Sequence, residues 1–213
     1  WTDKNDKISH STGKFFSIQG IRVSTNYGLV PQWDQPIINQ PEIGFLGFIV
    51  QRKQNVLHFL LQAKIEPGNL NVIQLSPTLQ ATRSNYTRVH KGRSPLYLEY
   101  FTGEKKVEIL VDQLQSEQGA RFYQKRNRNI IVEVDENEEL PVYENFVWAS
   151  LGQIKELLTY PNVVNMDTRT VISCIQYGNY SEKDLQLLSV FRLDTNLGHS
   201  DSFLYSVLSS DNH

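Results

Sequence analysis

The chain has 213 residues, 39% hydrophobic and 21% charged, with mean hydropathy −0.40; this composition suits one good-sized globular core and excludes a largely disordered polymer. A net charge of −2 and a pI near 6.2 exclude global attraction to nucleic acid or anionic membranes, so anion recognition has to come from local clusters. The longest apolar runs, Ile43 to Val50 and Val56 to Ala63, fall far short of the ~20 residues a membrane-spanning helix needs. The single cysteine, Cys174, has no intramolecular disulfide partner and five scattered histidines form no zinc pattern, which fits a reducing cytoplasm. A start at Trp1 rather than methionine, without a signal-peptide pattern, reads as a piece of a longer polypeptide.

In chain order, FFSIQGIRVST (Phe15 to Thr25) alternates apolar and polar residues and predicts a strand. GFLGFIVQ and NVLHFLLQAK, separated by the polar RKQN, predict a hairpin. NVIQL (Asn71 to Leu75), VEILVDQL (Val107 to Leu114) and NIIVEVDE (Asn129 to Glu136) add three more strands. Helical spacing is read in SEQGARFYQKRN (Ser116 to Asn127), ASLGQIKELLTY (Ala149 to Tyr160) and MDTRTVISCIQY (Met166 to Tyr177), with Ser150 and Asp167 as N-caps of the last two. Strands before helices point to an α+β fold with a mixed sheet. The domain is placed at residues 1–177, with 178–213 as a tail or interdomain connector.

Several clusters carry the chemical interest. Arg83, Arg88, Lys91 and Arg93, interleaved with Asn85, Tyr86 and His90, lie in an interval with no acidic residue; forked guanidinium donors there suit a diphosphate, or the loop is simply solvated. Glu117, Arg121, Tyr123, Lys125, Arg126 and Arg128 crowd the next cluster, where helical spacing would put either a Glu117–Arg121 surface pair or a set of acid-base groups on one face. WDQP offers Trp33 and Gln35 for stacking on and hydrogen-bonding a base, or a core tryptophan beside a turn. Glu66, in EPGN, follows apolar residues, so burial would raise its pKa and make it a base unless it is an exposed turn residue. There is no ordered hydrolase triad around His10 and Ser11, no glycine-rich phosphate loop and no dinucleotide fingerprint.

The ordered motifs HSTGKFFSIQGIRV, WDQPII, EIGFLGFIVQR, LHFLLQAKIEPGN, QLSPTLQATRSNY, SEQGARFYQKRNRN and NVVNMDTRTVISC resemble those of the NDP-hexose 2,3-dehydratases of bacterial deoxysugar and antibiotic biosynthesis, over about Ile8 to Cys174. That resemblance implies a Nudix-like α+β topology, normally present as two copies per chain, of which this chain holds one, most similar to the first. The glycine-led, glutamate-dense helix with an REXXEE core that holds magnesium in Nudix hydrolases is missing from the sequence. It further implies a dTDP-4-keto-6-deoxyhexose substrate and loss of water across C2–C3, with no cofactor and no metal. The implied partners are a second copy or a homodimer and a downstream NADPH-dependent ketoreductase; no nucleic acid or membrane is implied. Residue type then suggests Glu117 or Glu66 as base, Tyr123 as acid, and Lys125 or Arg128 facing the enolate. Arg83, Asn85, Tyr86 and Arg88 would contact diphosphate and sugar, with Trp33 and Gln35 at thymine and Asn69 and Gln80 as further substrate contacts. Two alternatives stay open: a non-catalytic nucleotide-sugar binding domain, and a dehydratase for another β-hydroxy ketone, including a carrier-bound one.

Overall fold

A computed structural model describes residues 2–4, 7–11, 13, 15–82 and 94–175. The basic run from Arg83 to Arg93 and the segment from 176 onward therefore lie outside the described residues.

Two sheets organise the chain. Strands β1 (Thr2–Lys4), β2 (Lys7–Ser9), β3 (Ser17–Ser24) and β4 (Gln32–Asn39) form an antiparallel sheet in sequential order. The second sheet runs β11 (Phe146–Ser150), β6 (Val56–Ile65), β5 (Gly44–Lys53), β10 (Arg126–Val134), β9 (Glu108–Ser116), with β7 (Ile73–Ser76) on β6 and β8 (Leu79–Ala81) on β5. Among the described strands of this sheet only β5 and β10 pair in parallel, so the sheet is mixed, as expected for this α+β chain. The β5–β6 hairpin turns on Gln54 and Asn55, both at positive φ (49° and 63°), the backbone a tight two-residue hairpin requires.

A split in this sheet positions the site. β5 and β6 pair only from Val50–Phe59 to Lys53–Val56; beyond that they diverge, and β7 and β8 fill the gap. Buried Thr78 bridges the point of divergence, its hydroxyl accepting from Ile49 N at 3.0 Å and donating to the Leu60 carbonyl. Strand alternation gives each face its own core. Ile49, Leu60, Ile130, Val132 and Val134 pack on one side beneath Tyr97, Tyr100 and Phe101. Leu46, Phe48, Val50, Leu61 and Ile131 pack on the other against Ile154, Val171 and Ile172. Ile154 comes from helix α1 (Leu151–Leu157), Val171 and Ile172 from helix α2 (Met166–Ser173).

Ser150 caps α1 as expected, in a reciprocal capping box with Gln153. For α2 the cap is Asn165, not Asp167: the Asn165 side chain accepts from Thr168 N at 2.8 Å, which leaves the Asp167 carboxyl free of that duty.

The helix expected over Ser116 to Asn127 does not form. β9 runs through Ser116, β10 starts at Arg126, and the residues between make a loop closed by Glu117 N donating to Lys125 O at 2.9 Å. The loop backbone keeps a single turn of its own, Arg121 N and Phe122 N both donating to Gln118 O at 2.9 Å, and is then bound to β4: Ile38 N donates to Arg121 O and Tyr123 N to Ile38 O, both at 2.8 Å. Left-handed Gln124 (φ 50°) breaks any helical run before β10. Spacing alone suggested a helix, and these tertiary backbone bonds outweigh it.

Candidate active site

The mouth of the split holds a cavity of about 220 Å³ lined by Lys64, Gln80, Glu117, Lys125, Asn127 and Asp167 among others. A second chamber of about 260 Å³ shares Leu46, Glu117, Asn127 and Asp167 with it and continues to Gln115, Asn129 and Thr170. Four strands and a helix thus line the first cavity: β5 carries Leu46, β6 Lys64, β8 Gln80, β10 Asn127 and α2 Asp167. Glu117 and Lys125 stand at the two ends of the β9–β10 loop, brought together by its closing hydrogen bond.

The Glu117 carboxylate accepts from Asn127 Nδ2 at 2.6 Å and from Gln118 N at 3.3 Å; its partner is an asparagine on the adjoining strand rather than Arg121. Lys125 is buried, and its ammonium donates to the Glu42 carbonyl. Burial lowers its pKa, against the opposing pull of Glu42 and Glu117. Burial also pushes the Asp167 carboxyl up to about 6, helped by the negative charges of Glu117 and Glu66 and opposed by Lys64. The site therefore contains a carboxyl that exchanges its proton near neutrality beside a second carboxylate and an ammonium, the components of acid-base chemistry with a charge-stabilising donor.

Glu66 departs from its expected state. Burial would raise it, yet the Lys64 ammonium and the amides of Asn69, Gln80 and Asn165 together outweigh burial and hold the carboxyl below its ordinary value. Its oxygens accept from Gln80 Nε2 at 2.9 Å and Asn69 Nδ2 at 3.1 Å, and Lys64 Nζ lies 3.4 Å away. A carboxylate so fully engaged is a weak base; it fixes Gln80 and Lys64 at the cavity wall.

The other expected site residues separate. Tyr123 is 46% exposed and does not line the cavity, where its neighbour Phe122 stands instead. Arg128 alternates with Asn127 and Asn129 along β10, so its side chain leaves on the opposite face, over Phe45 and in a two-pronged pair with Asp112 (Nε to Oδ1 2.7 Å). It lines a different cleft, of about 830 Å³, with Asp112 and Leu114. Trp33 lies on β4, 40% exposed rather than in a core, and Nε1 donates to Gln35 Oε1 at 2.8 Å. Gln35 Nε2 in turn donates to Ala120 O at 2.9 Å, tying β4 to the Glu117–Lys125 loop. Arg83, Asn85, Tyr86 and Arg88 lie outside the described residues.

Lys64, Asn127, Asn129 and Asp167 are site residues the sequence did not announce. Asn127 and Asn129 left a signal, two asparagines at alternate positions leading into the apolar run Ile130 to Val132; Asp167 was hidden by its first-turn position, which reads as a cap. Among the described residues no cluster of three His, Cys, Asp or Glu side chains could hold a metal ion, and no helix is long and apolar enough to cross a membrane.

A family model described as NDP-hexose 2,3-dehydratase matches residues 1–175. The dTDP-4-dehydro-6-deoxy-alpha-D-glucopyranose 2,3-dehydratase of Saccharopolyspora spinosa is 56% identical over 172 residues, covering 81% of this chain and 35% of that protein. The enzyme of the same name from Amycolatopsis orientalis is 46% identical over 193 residues (86% and 41%), and that of Streptomyces violaceoruber 49% identical over 170 (78% and 37%). The chain thus spans well under half the length of these relatives. Among solved structures, C. elegans Ap4A hydrolase overlaps 63% of this chain and 95% of its own at TM-score 0.38 and 11% identity. The C-terminal domain of mouse MUTYH, in complex with human PCNA, overlaps 63% and 87% at TM-score 0.37 and 9% identity. Overlaps this partial carry no argument about chemistry.

Proposed function

This chain belongs to the NDP-hexose 2,3-dehydratase family, and from that membership we propose that it takes part in removing water across C2–C3 of a dTDP-4-keto-6-deoxyhexose. The observation that supports the reading is the convergence of Glu117, Asp167 and Lys125 on one cavity with Gln80 and Asn127. In this reading Glu117 takes the C3 proton, which the C4 carbonyl acidifies, and the released electron pair forms a C3–C4 enolate. Lys125 faces the C4 oxygen and stabilises the charge that develops there. As the C4 carbonyl re-forms, the pair shifts to C2–C3, the C2–O bond breaks, and Asp167 gives its proton to the departing oxygen, which leaves as water. The product is an enol that tautomerises to a 3,4-diketo sugar, a substrate for an NADPH-dependent ketoreductase. Asp167 thereby takes the acid's part expected of Tyr123, since its proton exchanges near the working pH and it faces the cavity.

Arg83, Asn85, Tyr86 and Arg88 are proposed to hold diphosphate and sugar, and Trp33 and Gln35 the thymine, with residues 1–177 as the dehydratase domain and 178–213 as the connector. A second copy, in the same polypeptide or a partner chain, would complete the assembly, consistent with the greater length of the relatives.

The test incubates the intact protein with dTDP-4-keto-6-deoxyglucose and a trapping ketoreductase and looks by mass for the sugar less one water. Glu117→Gln should lower turnover by about 10²- to 10⁴-fold with dTDP affinity retained. Normal elimination by that variant removes Glu117 from the base role. Binding of dTDP without any product from the wild type would instead mark a non-catalytic binding domain.

A further inference from the structure

Behind the Glu117–Asp167 pair, the second chamber contains an anomaly in its hydrogen bonding. Asn129 is completely buried in β10, its Nδ2 donates to Asn127 O at 3.3 Å, and its Oδ1 has no partner among the described residues. Native interiors rarely leave such an acceptor unmet, because an unmet one forfeits the hydrogen bond it had with water. The amide nitrogens around it are directed elsewhere: Gln115 Nε2 to Cys174 Sγ at 2.8 Å, Asn127 Nδ2 to Glu117. The Asp167 carboxyl, which lines the same chamber, receives no hydrogen bond from the described residues. The chamber thus presents acceptors and has room for water at about 260 Å³.

We infer that this chamber holds a water molecule anchored by Asn129 Oδ1 between the carboxyls of Glu117 and Asp167, and that this water returns the proton between them after each elimination. A water has two hydrogens, and here it meets three acceptor groups, so one carboxyl must carry a proton and donate to the water oxygen. The arrangement therefore stores one proton among Asp167, water and Glu117. That is the proton the proposed reaction needs to recycle. Each turnover leaves Glu117 protonated and Asp167 ionised; Glu117 gives its proton to the water, the water gives one of its own to Asp167, and both groups return to their starting states with no net change. Asn129 touches no reacting atom and acts as a positioning residue. This role rests on the elimination reading, whereas the water site itself does not.

The test has two arms. A high-resolution crystal structure of the intact protein should show water within hydrogen-bond distance of Asn129 Oδ1 and of the Asp167 carboxyl; a dry chamber overturns the inference. Asn129→Leu, close in volume and without the acceptor, should lower kcat about tenfold or more with KM within about twofold, the scale of a lost relay step in general acid-base catalysis. It should also convert a bowl-shaped dependence of kcat on the D2O fraction, expected of several protons moving together, into a straight line. Unchanged kcat together with a raised Tm, as removal of an orphaned acceptor would give, refutes the inference. A wild type that eliminates nothing refutes the elimination reading, and the crystallographic arm still decides the water site.

Discussion

Replacing Asp167 with asparagine should stabilise the protein at alkaline pH while disabling it. The carboxyl titrates near 6 in the fold against an ordinary value of 3.8, because burial and the charges of Glu117 and Glu66 oppose its ionisation more than Lys64 favours it. Between those two pH values the native chain keeps a proton that the unfolded chain has released, so stability falls as pH rises through the window and the full cost is present above about pH 7. The gap corresponds to about 3 kcal/mol at 1.36 kcal/mol per pH unit, and solvent contact of the half-buried carboxyl brings it to about 2–3 kcal/mol. The substituted amide carries no charge, so Asp167→Asn should gain that amount at pH 8 and close to nothing at pH 4. For a domain of this size the gain reads as a Tm increase of about 4–12 °C. Urea unfolding of both proteins at the two pH values measures it, and turnover should fall by about 10²-fold or more. A gain equal at both pH values, or a loss at pH 8, would refute the electrostatic reasoning.

Gly47→Ala would put a Cβ 2.3 Å from Phe101 Cε1 within the packed core, costing about 1–3 kcal/mol by overpacking; Phe101→Leu should recover part of the loss in a combined variant followed by denaturation. Arg128→Ala breaks a half-exposed pair with Asp112 and the contact over Phe45, both on the face away from the cavity, so stability should change by about 1–2 kcal/mol or less and turnover by less than about threefold; a hundredfold loss would place Arg128 in the site after all. Lys125→Met keeps the buried stem and removes the charge, and should lower kcat about 10²- to 10³-fold with little effect on dTDP binding by calorimetry, since its ammonium faces the developing oxyanion in the proposed mechanism.

What could be read from the chain is what period and local chemistry encode. The alternation in Ser17–Ser24, the β5–β6 hairpin and the Ser150 cap all depend on neighbours in sequence. The motifs likewise pointed to the family and to Glu117, Lys125 and Gln80, which the fold brings to one cavity. Tertiary structure alone decided the rest. Ser116 to Asn127 has helical spacing, but its backbone groups bond to Ile38 and close the β9–β10 loop, so the charged run is spread over a loop and two sheet faces. One residue of alternation sends Arg128 away from Asn127, and no local pattern specifies which face will hold the site. Glu66 and Asp167 show the same limit in charge: both are half-buried carboxylates. One sits among an ammonium and three amides and is held low, while the other faces two carboxylates and is pushed to about 6, because a pKa depends on neighbours that only folding assembles.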